Sequence, residues 1–312
     1  MDYIVLDLEW NQSEKGNKDF PFEIVEIGAV KLDSNKNIIG SYRQLIKPQV
    51  YRKIHPITKR IIQLDMEELE KGKYFPDAAK DFLEWCGENY LFCTWGSLDL
   101  TEFQRNMQYY HMESLSGGPI LYYDIQKFFS LLYEDGKVRR SLEYAVEYLN
   151  LNKEHPFHMA FYDAYYASLI WKEMGDSNVE ENFSFDVFMP PKNKVEEIHV
   201  SFSNYSKYIS RVFDSKTTAM GEREVTSTRC PICGKNGTKR VRWFTTNRKH
   251  YYSISYCFRH GYMKGKIRIK KTKEGGVYII KTLKLISKED VVEIKEKRMK
   301  CKKQGRTKRH KD

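Results

Sequence analysis

The chain has 312 residues, of which 41% are hydrophobic and 30% charged, and its formal net charge is +11. Single domains usually contain about 100–200 residues, so this length predicts two domains, and the hydrophobic content excludes a wholly disordered protein. No apolar run approaches the roughly 20 residues that span a bilayer, and the N-terminus lacks the features of a signal peptide. The sequence therefore predicts a soluble, cytoplasmic protein with no membrane partner.

The charge is divided unevenly between the two halves of the chain. Residues 191–312 contain 33 Lys and Arg against 11 Asp and Glu, a net charge of +22, whereas residues 1–190 contain 20 and 31, a net charge of −11. A strongly basic half favours a polyanionic partner, and nucleic acid is the first candidate. The alternative is a basic tail that only keeps the protein in solution.

The first domain is predicted to cover residues 1–180. Runs rich in Ile, Val and Leu predict three successive strands at its start. Helical and strand patterns then alternate, with apolar residues at helical spacing or in short continuous runs. The predicted strands are 3–9, 22–33, 37–46 and 120–125, the predicted helices are 77–85, 100–111, 141–149 and 159–174, and 90–95 is a short apolar run. This order predicts an α/β class, with a sheet covered by helices.

Candidate catalytic acids occur at three places in this domain. Asp7 and Glu9 lie two residues apart within the first predicted strand, so their side chains share one face of it. Asp99 follows an apolar run and precedes a helix, and His158 stands five residues before Asp163 at the start of another helix. Each feature taken singly is explained by a surface carboxylate or a helix cap. Their occurrence together, in this order, indicates a catalytic site.

This arrangement resembles the DnaQ-like exonucleases of the DEDDh class. The D-x-E motif of that superfamily is matched by Asp7 and Glu9, its second acidic position by Asp99, and its H-x4-D motif by His158 and Asp163. The resemblance implies a ribonuclease H-like fold, a mixed sheet flanked by helices. It also implies that these five residues form the catalytic set.

The resemblance extends to one subgroup of the family, and one segment departs from the family pattern. It covers about residues 2–175, and segment 94–99 is similar to the enhancer-of-RNAi-type RNA exonucleases and the bacterial KapD-like proteins. Many family members carry a Thr-Gly-Ile segment that contributes to the site for the terminal nucleotide, whereas segment 61–65 here reads Ile-Ile-Gln-Leu-Asp. This departure concerns the nucleotide contacts and not the metal site.

The resemblance further implies a 3′–5′ exonuclease that acts on single-stranded ends, with RNA favoured over DNA. Two Mg²⁺ or Mn²⁺ ions would be held by the four carboxylates, because hard cations prefer carboxylate oxygens and a pair of them serves both the attacking and the leaving oxygen. His158 would accept the proton of the attacking water. Trp10 and Asn11 would lie beside the 3′-terminal nucleotide, where Trp10 either stacks on the base or caps the core.

The basic half contains a second metal-binding pattern. Cys230 and Cys233 form a C-x2-C pair, and Cys257 and His260 form a C-x2-H pair after 23 intervening residues. Two such pairs supply the four ligands that a structural Zn²⁺ prefers in a tetrahedron, and the glycine after each pair permits a tight turn. We predict one structural zinc ion in a zinc ribbon. Chance spacing of reduced cysteines is the alternative.

Residues 181–225 are predicted to be a linker, and residues 226–312 the zinc ribbon with a basic hairpin, a helix and a tail. Between the ligand pairs, cations alternate with aromatic residues, a combination that suits single-stranded nucleic acid. The ribbon's own small core is the other role open to these aromatic residues. The candidate strand-binding residues are Arg240, Arg242, Arg248 and Lys249.

Two functions fit these patterns. The first is a metal-dependent exonuclease whose basic half holds the strand. The second is a nucleic-acid-binding or regulatory protein, KapD-like and active in sporulation signalling, whose nuclease domain serves docking. The presence of all five catalytic-type residues favours the enzyme, because a decayed site would have lost some of them.

Overall fold

The computed structural model describes residues 1–309 except 14, 15, 63, 176 and 248, and in the last helix it describes side chains as far as Cys301. The chain forms two compact units, the first covering Met1–Met189 and the second beginning at Pro190. In the described part of the chain, no helix combines the length and hydropathy needed to cross a membrane.

The first unit is built on a mixed β-sheet. Its strands are β1 (Asp2–Gln12), β2 (Phe22–Leu32), β3 (Ile38–Leu45), β4 (Tyr90–Thr94), β5 (Ile120–Asp124) and β6 (Ser184–Asp186). Their order in the sheet is β3-β2-β1-β4-β5-β6. The first three strands pair antiparallel, whereas β1, β4 and β5 are parallel neighbours. The predicted α/β class with a mixed sheet is confirmed.

Helices cover both faces of this sheet. They are α1 (Pro56–Ile61), α2 (Met66–Leu69), α3 (Phe75–Cys86), α4 (Asp99–Tyr109), α5 (Ile125–Tyr133), α6 (Leu142–Tyr148) and α7 (Ala160–Glu173), and a 3₁₀ helix covers Val179–Asn182. Helices α3 and α4 pack on one face, and α5, α6 and α7 contribute to the core on the other. The helices predicted from periodicity all appear near their expected positions.

The alternation of side chains along β1 decides where the acidic residues lie. Leu6 and Leu8 belong to the core that includes α3 and α4, whereas Val5 belongs to the core that includes α7. Successive side chains of a strand point to opposite faces, so Asp7 and Glu9 lie on the same face as Val5. The two carboxylates therefore face the helix that carries the third motif.

The second unit contains an antiparallel sheet. Its strands are β7 (Ile198–Ser201), β8 (Tyr205–Ile209), β9 (Thr238–Thr245), β10 (His250–Cys257), β11 (Gly261–Lys271) and β12 (Val277–Leu285), and its helices are α8 (Lys216–Gly221), α9 (Arg223–Thr226) and α10 (Lys288–Arg309). The strand order is β7-β8-β12-β11-β10-β9. The predicted basic hairpin is β11 with β12, and Gly275 in its turn has a φ of +89° that favours glycine.

The prediction that residues 181–225 form a linker is wrong. This segment contains β6 of the first sheet and β7, β8, α8 and α9 of the second unit. Strand β8 pairs with β12, which places Ile209 opposite Ile280, and Arg211 forms ion pairs with Glu197 and Glu222 at 2.6 and 3.2 Å. The strands are short: β7 and β8 pair with each other, and β8 gains its second partner, β12, from far along the chain, so the local pattern is weak.

Candidate active site and zinc centre

The structure brings the predicted acidic residues of the first unit toward one another from three elements. Asp7 and Glu9 lie on β1, and Asp99, only 6% exposed, is the first residue of α4 directly after β4. Asp163 lies in the first turn of α7, and His158 precedes that helix by two residues. Possible ligand atoms of Glu9, His158 and Asp163 all lie within 4.8 Å of one another.

The electrostatics of these carboxylates show how closely they interact. Burial raises the pKa of Asp7 well above its usual range, and the charges of Asp99 and Asp163 raise it further. Burial, reinforced by Asp163, raises the pKa of Glu9 to about 9, and burial raises the pKa values of Asp99 and Asp163 to about 7. Such a group of acids is stable near neutral pH only when protons or cations offset the repulsion.

The surroundings of one carboxylate oxygen indicate that cations, and not protons alone, offset the repulsion in this cluster. The Oδ2 atom of Asp163 accepts a hydrogen bond from the backbone amide of His158 at 3.2 Å. Its Oδ1 atom is buried and has no hydrogen-bond partner among the described residues. A buried, unpartnered carboxylate oxygen is unfavourable unless a ligand satisfies it. Because carboxylate oxygens are the preferred ligands of Mg²⁺ and Mn²⁺, the donor set fits divalent cations.

A fifth carboxylate, which the sequence analysis did not identify, holds the start of α7. Glu26 on β2 is fully buried, and it lies opposite Glu9 in the sheet. Its Oε2 atom accepts a hydrogen bond from the backbone amide of Ala160 at 3.1 Å, and its Oε1 atom accepts one from Nε of Arg43 at 2.7 Å. The N-cap residue Met159 makes no side-chain cap of its own. Glu26 therefore caps α7 from β2, and the available sequence signal was that an otherwise apolar strand contains two acids, Glu23 and Glu26.

Gly28 permits the close approach of that helix. It pairs with Asp7 in the sheet, and a Cβ atom on it would lie 2.1 Å from the carbonyl carbon of Ala160 and from the amide nitrogen of Phe161. No side chain larger than hydrogen fits there without a backbone shift. The absence of a side chain at position 28 thus sets the distance between α7 and the acidic strand.

The side chain of Asn11 is hydrogen-bonded within the protein, and the position of this residue beside the terminal nucleotide stays a prediction. Asn11 is fully buried. Its Nδ2 atom donates to the carbonyl oxygens of Tyr51 and Lys53 at 3.0 and 2.8 Å, and its Oδ1 atom accepts from the amide of His55 at 2.9 Å. These bonds use the polar atoms of the side chain, and through them Asn11 holds the loop after β3 in place.

Trp10 makes the contact expected of a residue that caps the core. It is half-buried and lies against Phe22, with ring centroids 5.2 Å apart. It also packs against the core shared with α3 and α4. Stacking of Trp10 on a nucleotide stays a prediction.

Segment 61–65, which departs from the family pattern, contributes to the packing of the first unit. Ile62 and Leu64 are buried and form a cluster with Val25 and Leu69. Asp65 caps α2 through a reciprocal capping box with Glu68. Position 63 lies outside the described residues. The described part of this segment therefore serves the core and the next helix.

The four predicted zinc ligands come together in the second unit. Their ligand atoms all lie within 4.8 Å of one another. The Sγ atom of Cys230 lies 3.4 Å from Nδ1 of His260, and the Sγ atoms of Cys233 and Cys257 lie 3.7 Å apart. In a tetrahedral zinc site with bonds of about 2.3 Å, ligand atoms lie roughly 3.5–3.8 Å from one another. The cluster therefore has the dimensions of a closed, structural zinc site.

The backbone around the ligands is arranged for thiolates. Burial opposes ionisation of Cys257, but the amides of Arg259 and His260 and the imidazole of His260 lower its pKa to about 6. Gly234 and Gly261, which follow the two ligand pairs, have φ angles of +69° and +88°. These left-handed conformations are the turns for which the two glycines were predicted.

Three of the four predicted strand-binding residues, Arg240, Arg242 and Lys249, lie on or directly beside the paired strands β9 and β10. Arg240 and Arg242 are exposed on β9, and the guanidinium of Arg240 lies 5.5 Å from the ring centre of Tyr256. Lys249 is exposed in the turn that leads into β10, and Arg248 lies outside the described residues. Their role in binding stays a prediction.

The sequence matches the RNase T exonuclease family over residues 4–170, which is more than half of the chain. The chain therefore belongs to this exonuclease family. The match runs continuously from within β1 to within α7, and so it includes all five predicted catalytic residues. No curated protein matches the sequence.

Solved structures show the same fold. The nuclease domain of 3'hExo, a DEDDh family member bound to rAMP, is 19% identical, with 59% of this chain and 96% of that chain covered and a TM-score of 0.50. A 3′-exonuclease in specific recognition of a histone mRNA stem-loop is 18% identical, with 60% and 84% covered and a TM-score of 0.50. These similarities confirm the predicted ribonuclease H-like exonuclease fold.

Proposed function

We propose that this exonuclease degrades single-stranded nucleic acid from its 3′ end, with RNA preferred over DNA. The observation that carries the proposal is the convergence of Asp7, Glu9, Asp99 and Asp163 on one side of the first sheet, with His158 at its edge. Repelling carboxylates of this kind require cations, and metal-assisted phosphodiester hydrolysis uses them.

In this proposal the four carboxylates hold two Mg²⁺ or Mn²⁺ ions. When bound, such ions stabilise the charge on the attacking and leaving oxygens. His158 is exposed and lies near Glu9 and Asp163, and it accepts the proton of the attacking water. Its backbone is left-handed, with a φ of +65°, an uncommon conformation for a residue other than glycine that is often retained at functional sites.

The 3′ direction and the RNA preference rest on similarity. The two solved relatives are a 3′-exonuclease that recognises a histone mRNA stem-loop and a DEDDh nuclease domain bound to rAMP. The sequence of segment 94–99 is similar to RNA exonucleases of the same class. Both observations favour RNA over DNA.

We propose that the second unit binds the strand and contains one structural zinc ion. Its excess of cations suits the phosphate backbone, which dominates the affinity of most nucleic-acid-binding proteins. Zinc would hold the ends of β9, β10 and β11 together through the Cys3His cluster. A closed site of four ligands has no open position, so this ion has no part in hydrolysis.

The test compares the full-length protein on RNA and DNA of the same sequence, each labelled at the 5′ end so that shortening from the 3′ end gives a ladder. We expect Mg²⁺- or Mn²⁺-dependent ladders, formed faster on RNA. Asp163→Ala should abolish them while binding persists. Glu143→Ala, which removes an exposed acid on α6, is the matched control and should cut at the wild-type rate.

Three results would contradict parts of the proposal. Immediate release of the 5′ label without a ladder would refute the 3′ direction, and equal rates on RNA and DNA would refute the RNA preference. Folded protein that binds RNA with divalent ions present but never shortens it would refute the enzymatic function. That last result would favour the regulatory alternative.

A further inference from the structure

One face of the second sheet carries a cluster of basic residues that the predicted strand-binding residues do not include. Lys264, Lys266 and Arg268 occupy alternate positions of β11 and so share a face. His250 lies directly opposite Arg268 on β10, and Lys297 of α10 reaches the same face. We call these five residues the β11 patch.

Tyr252 lies at the centre of this patch. It stands opposite Lys266 in the sheet. The Nζ atom of Lys297 lies 4.4 Å from the centre of its ring, and that of Lys264 lies 5.9 Å from it. The apolar side of α10 packs on the same sheet face, which holds Lys297 in place. The patch is therefore a surface formed by two neighbouring strands and the helix that packs on them.

Among the described residues, ion pairs do not offset the positive charges of the lysines and the arginine of the patch. In the described residues, no ion pair joins Lys264, Lys266, Arg268 or Lys297 to a carboxylate. Burial and the charges of Arg268, Lys264 and Lys297 lower the pKa of Lys266, and burial and neighbouring cations lower the pKa of His250. Like charges held this close oppose folding, and a bound polyanion removes that repulsion.

Aromatic residues lie beside the cations on the same face. Tyr256 and Tyr262 pair across β10 and β11, with ring centroids 5.0 Å apart. Cations that follow the backbone, combined with aromatic rings that stack on bases, are the usual means of binding single strands. Alternate residues of a strand lie roughly 6.6 Å apart, so the β11 cations form an evenly spaced row suited to a repeating charge.

We propose that the β11 patch binds the phosphodiester backbone of single-stranded nucleic acid. This inference deepens the proposed function, and it rests on that function only in taking the bound strand to be the substrate. Binding at the patch is measured separately from cleavage. A loss of one therefore does not imply a loss of the other.

The test measures binding of a labelled single-stranded RNA by fluorescence anisotropy, using the full-length protein without added Mg²⁺ or Mn²⁺ so that the strand stays intact. The test variant combines Lys264→Gln, Lys266→Gln and Arg268→Gln. Each lost phosphate contact lowers the slope of log affinity against log salt by about 0.7 for single strands, so we expect a decrease of about 2. We expect affinity at low salt to fall about tenfold or more.

The matched control combines Lys192→Gln, Lys194→Gln and Lys288→Gln, which removes the same charge from exposed positions outside the patch. It should keep the wild-type salt slope. The patch variant should also unfold at the same or a higher temperature than wild type, because the substitutions relieve repulsion. Thermal unfolding therefore separates a binding defect from a folding defect.

Several outcomes would overturn the inference. They are an unchanged slope in the folded patch variant, equal losses in the patch variant and the control, or duplex RNA that binds the patch as tightly as the single strand. If wild type binds through the patch but never shortens RNA, the proposed function fails and the patch stands. If wild type cuts and the patch variant binds normally, the patch fails and the function stands.

Discussion

Substitution of Gly28 by Ala tests directly how the acidic site is assembled. The new Cβ would lie 2.1 Å from the carbonyl carbon of Ala160 and 2.4 Å from its oxygen. Carbon atoms in favourable contact lie about 3.5 Å or more apart, so the first turn of α7 must move away from β2 by roughly 1.4 Å. The obstacle is backbone, and no side-chain rotation relieves it.

This shift carries His158 and Asp163 away from Asp7 and Glu9, because the first pair belongs to α7 and its entry loop and the second pair to β1. A misplacement of about 1 Å at a catalytic group lowers the rate by about 100-fold. Overpacking of this kind also costs about 1–3 kcal/mol of unfolding free energy. We expect Gly28→Ala to show both effects.

The assay combines urea unfolding with the rate of ladder formation on labelled RNA. Gly40→Ala is the matched control, because Gly40 lies on β3 of the same sheet and a Cβ there would make ordinary contacts, with the ring of Trp85 from 3.5 Å and with Cβ of Lys31 at 3.7 Å. The control should keep its activity and change in stability by less than about 1 kcal/mol. If Gly28→Ala cuts and unfolds like Gly40→Ala, the close approach of α7 does not determine the site.

Three further predictions follow from the same contacts. Glu26→Ala should lower the unfolding free energy by about 1–3 kcal/mol, because it leaves a buried amide unpaired. Glu26→Gln keeps an acceptor and should recover part of the loss. Equal stability of the two variants would contradict the capping role. A raised pKa means that folded Glu9 and Asp163 hold protons that the unfolded chain has released, so the metal-free protein should lose stability as pH rises from about 5 to 9. Mg²⁺ should reverse this loss, and a melting temperature that is independent of pH would refute it. Metal analysis should find about one zinc per chain, lost in Cys230→Ser and kept in Cys301→Ser.

The sequence alone predicted the acidic site because its determinants are local. Asp7 and Glu9 share a face through the two-residue period of a strand, and their surroundings are apolar. Asp99 and Asp163 follow from the order of motifs along a known family pattern. The zinc cluster was predictable for the same reason, since the spacing within each ligand pair fixes a knuckle whatever the rest of the unit does.

The remaining parts depend on contacts between distant residues. Glu26 caps a helix that begins 134 positions later, and the chain around it gives no sign of that partner. Asn11 follows a catalytic motif, which suggested a nucleotide contact, but its amide is satisfied by a loop 40–44 positions away. The segment taken for a linker contains the short hairpin of β7 and β8, and β12, far along the chain, joins that hairpin to the sheet. Local patterns carry no information about such partners.

Both units hold like charges closer together than folding favours. In the first, burial and the charges of neighbouring carboxylates raise the pKa of Glu9, and in the second, burial and the charges of Arg268, Lys264 and Lys297 lower the pKa of Lys266. The two clusters are opposite in sign, so divalent cations would relieve the repulsion in the first, and a phosphate backbone would relieve the repulsion in the second. The net charge of +11 is the sum of −11 for residues 1–190 and +22 for residues 191–312. Ligand binding should therefore stabilise this protein more than its contacts alone suggest, because each ligand removes a repulsion that the folded chain contains.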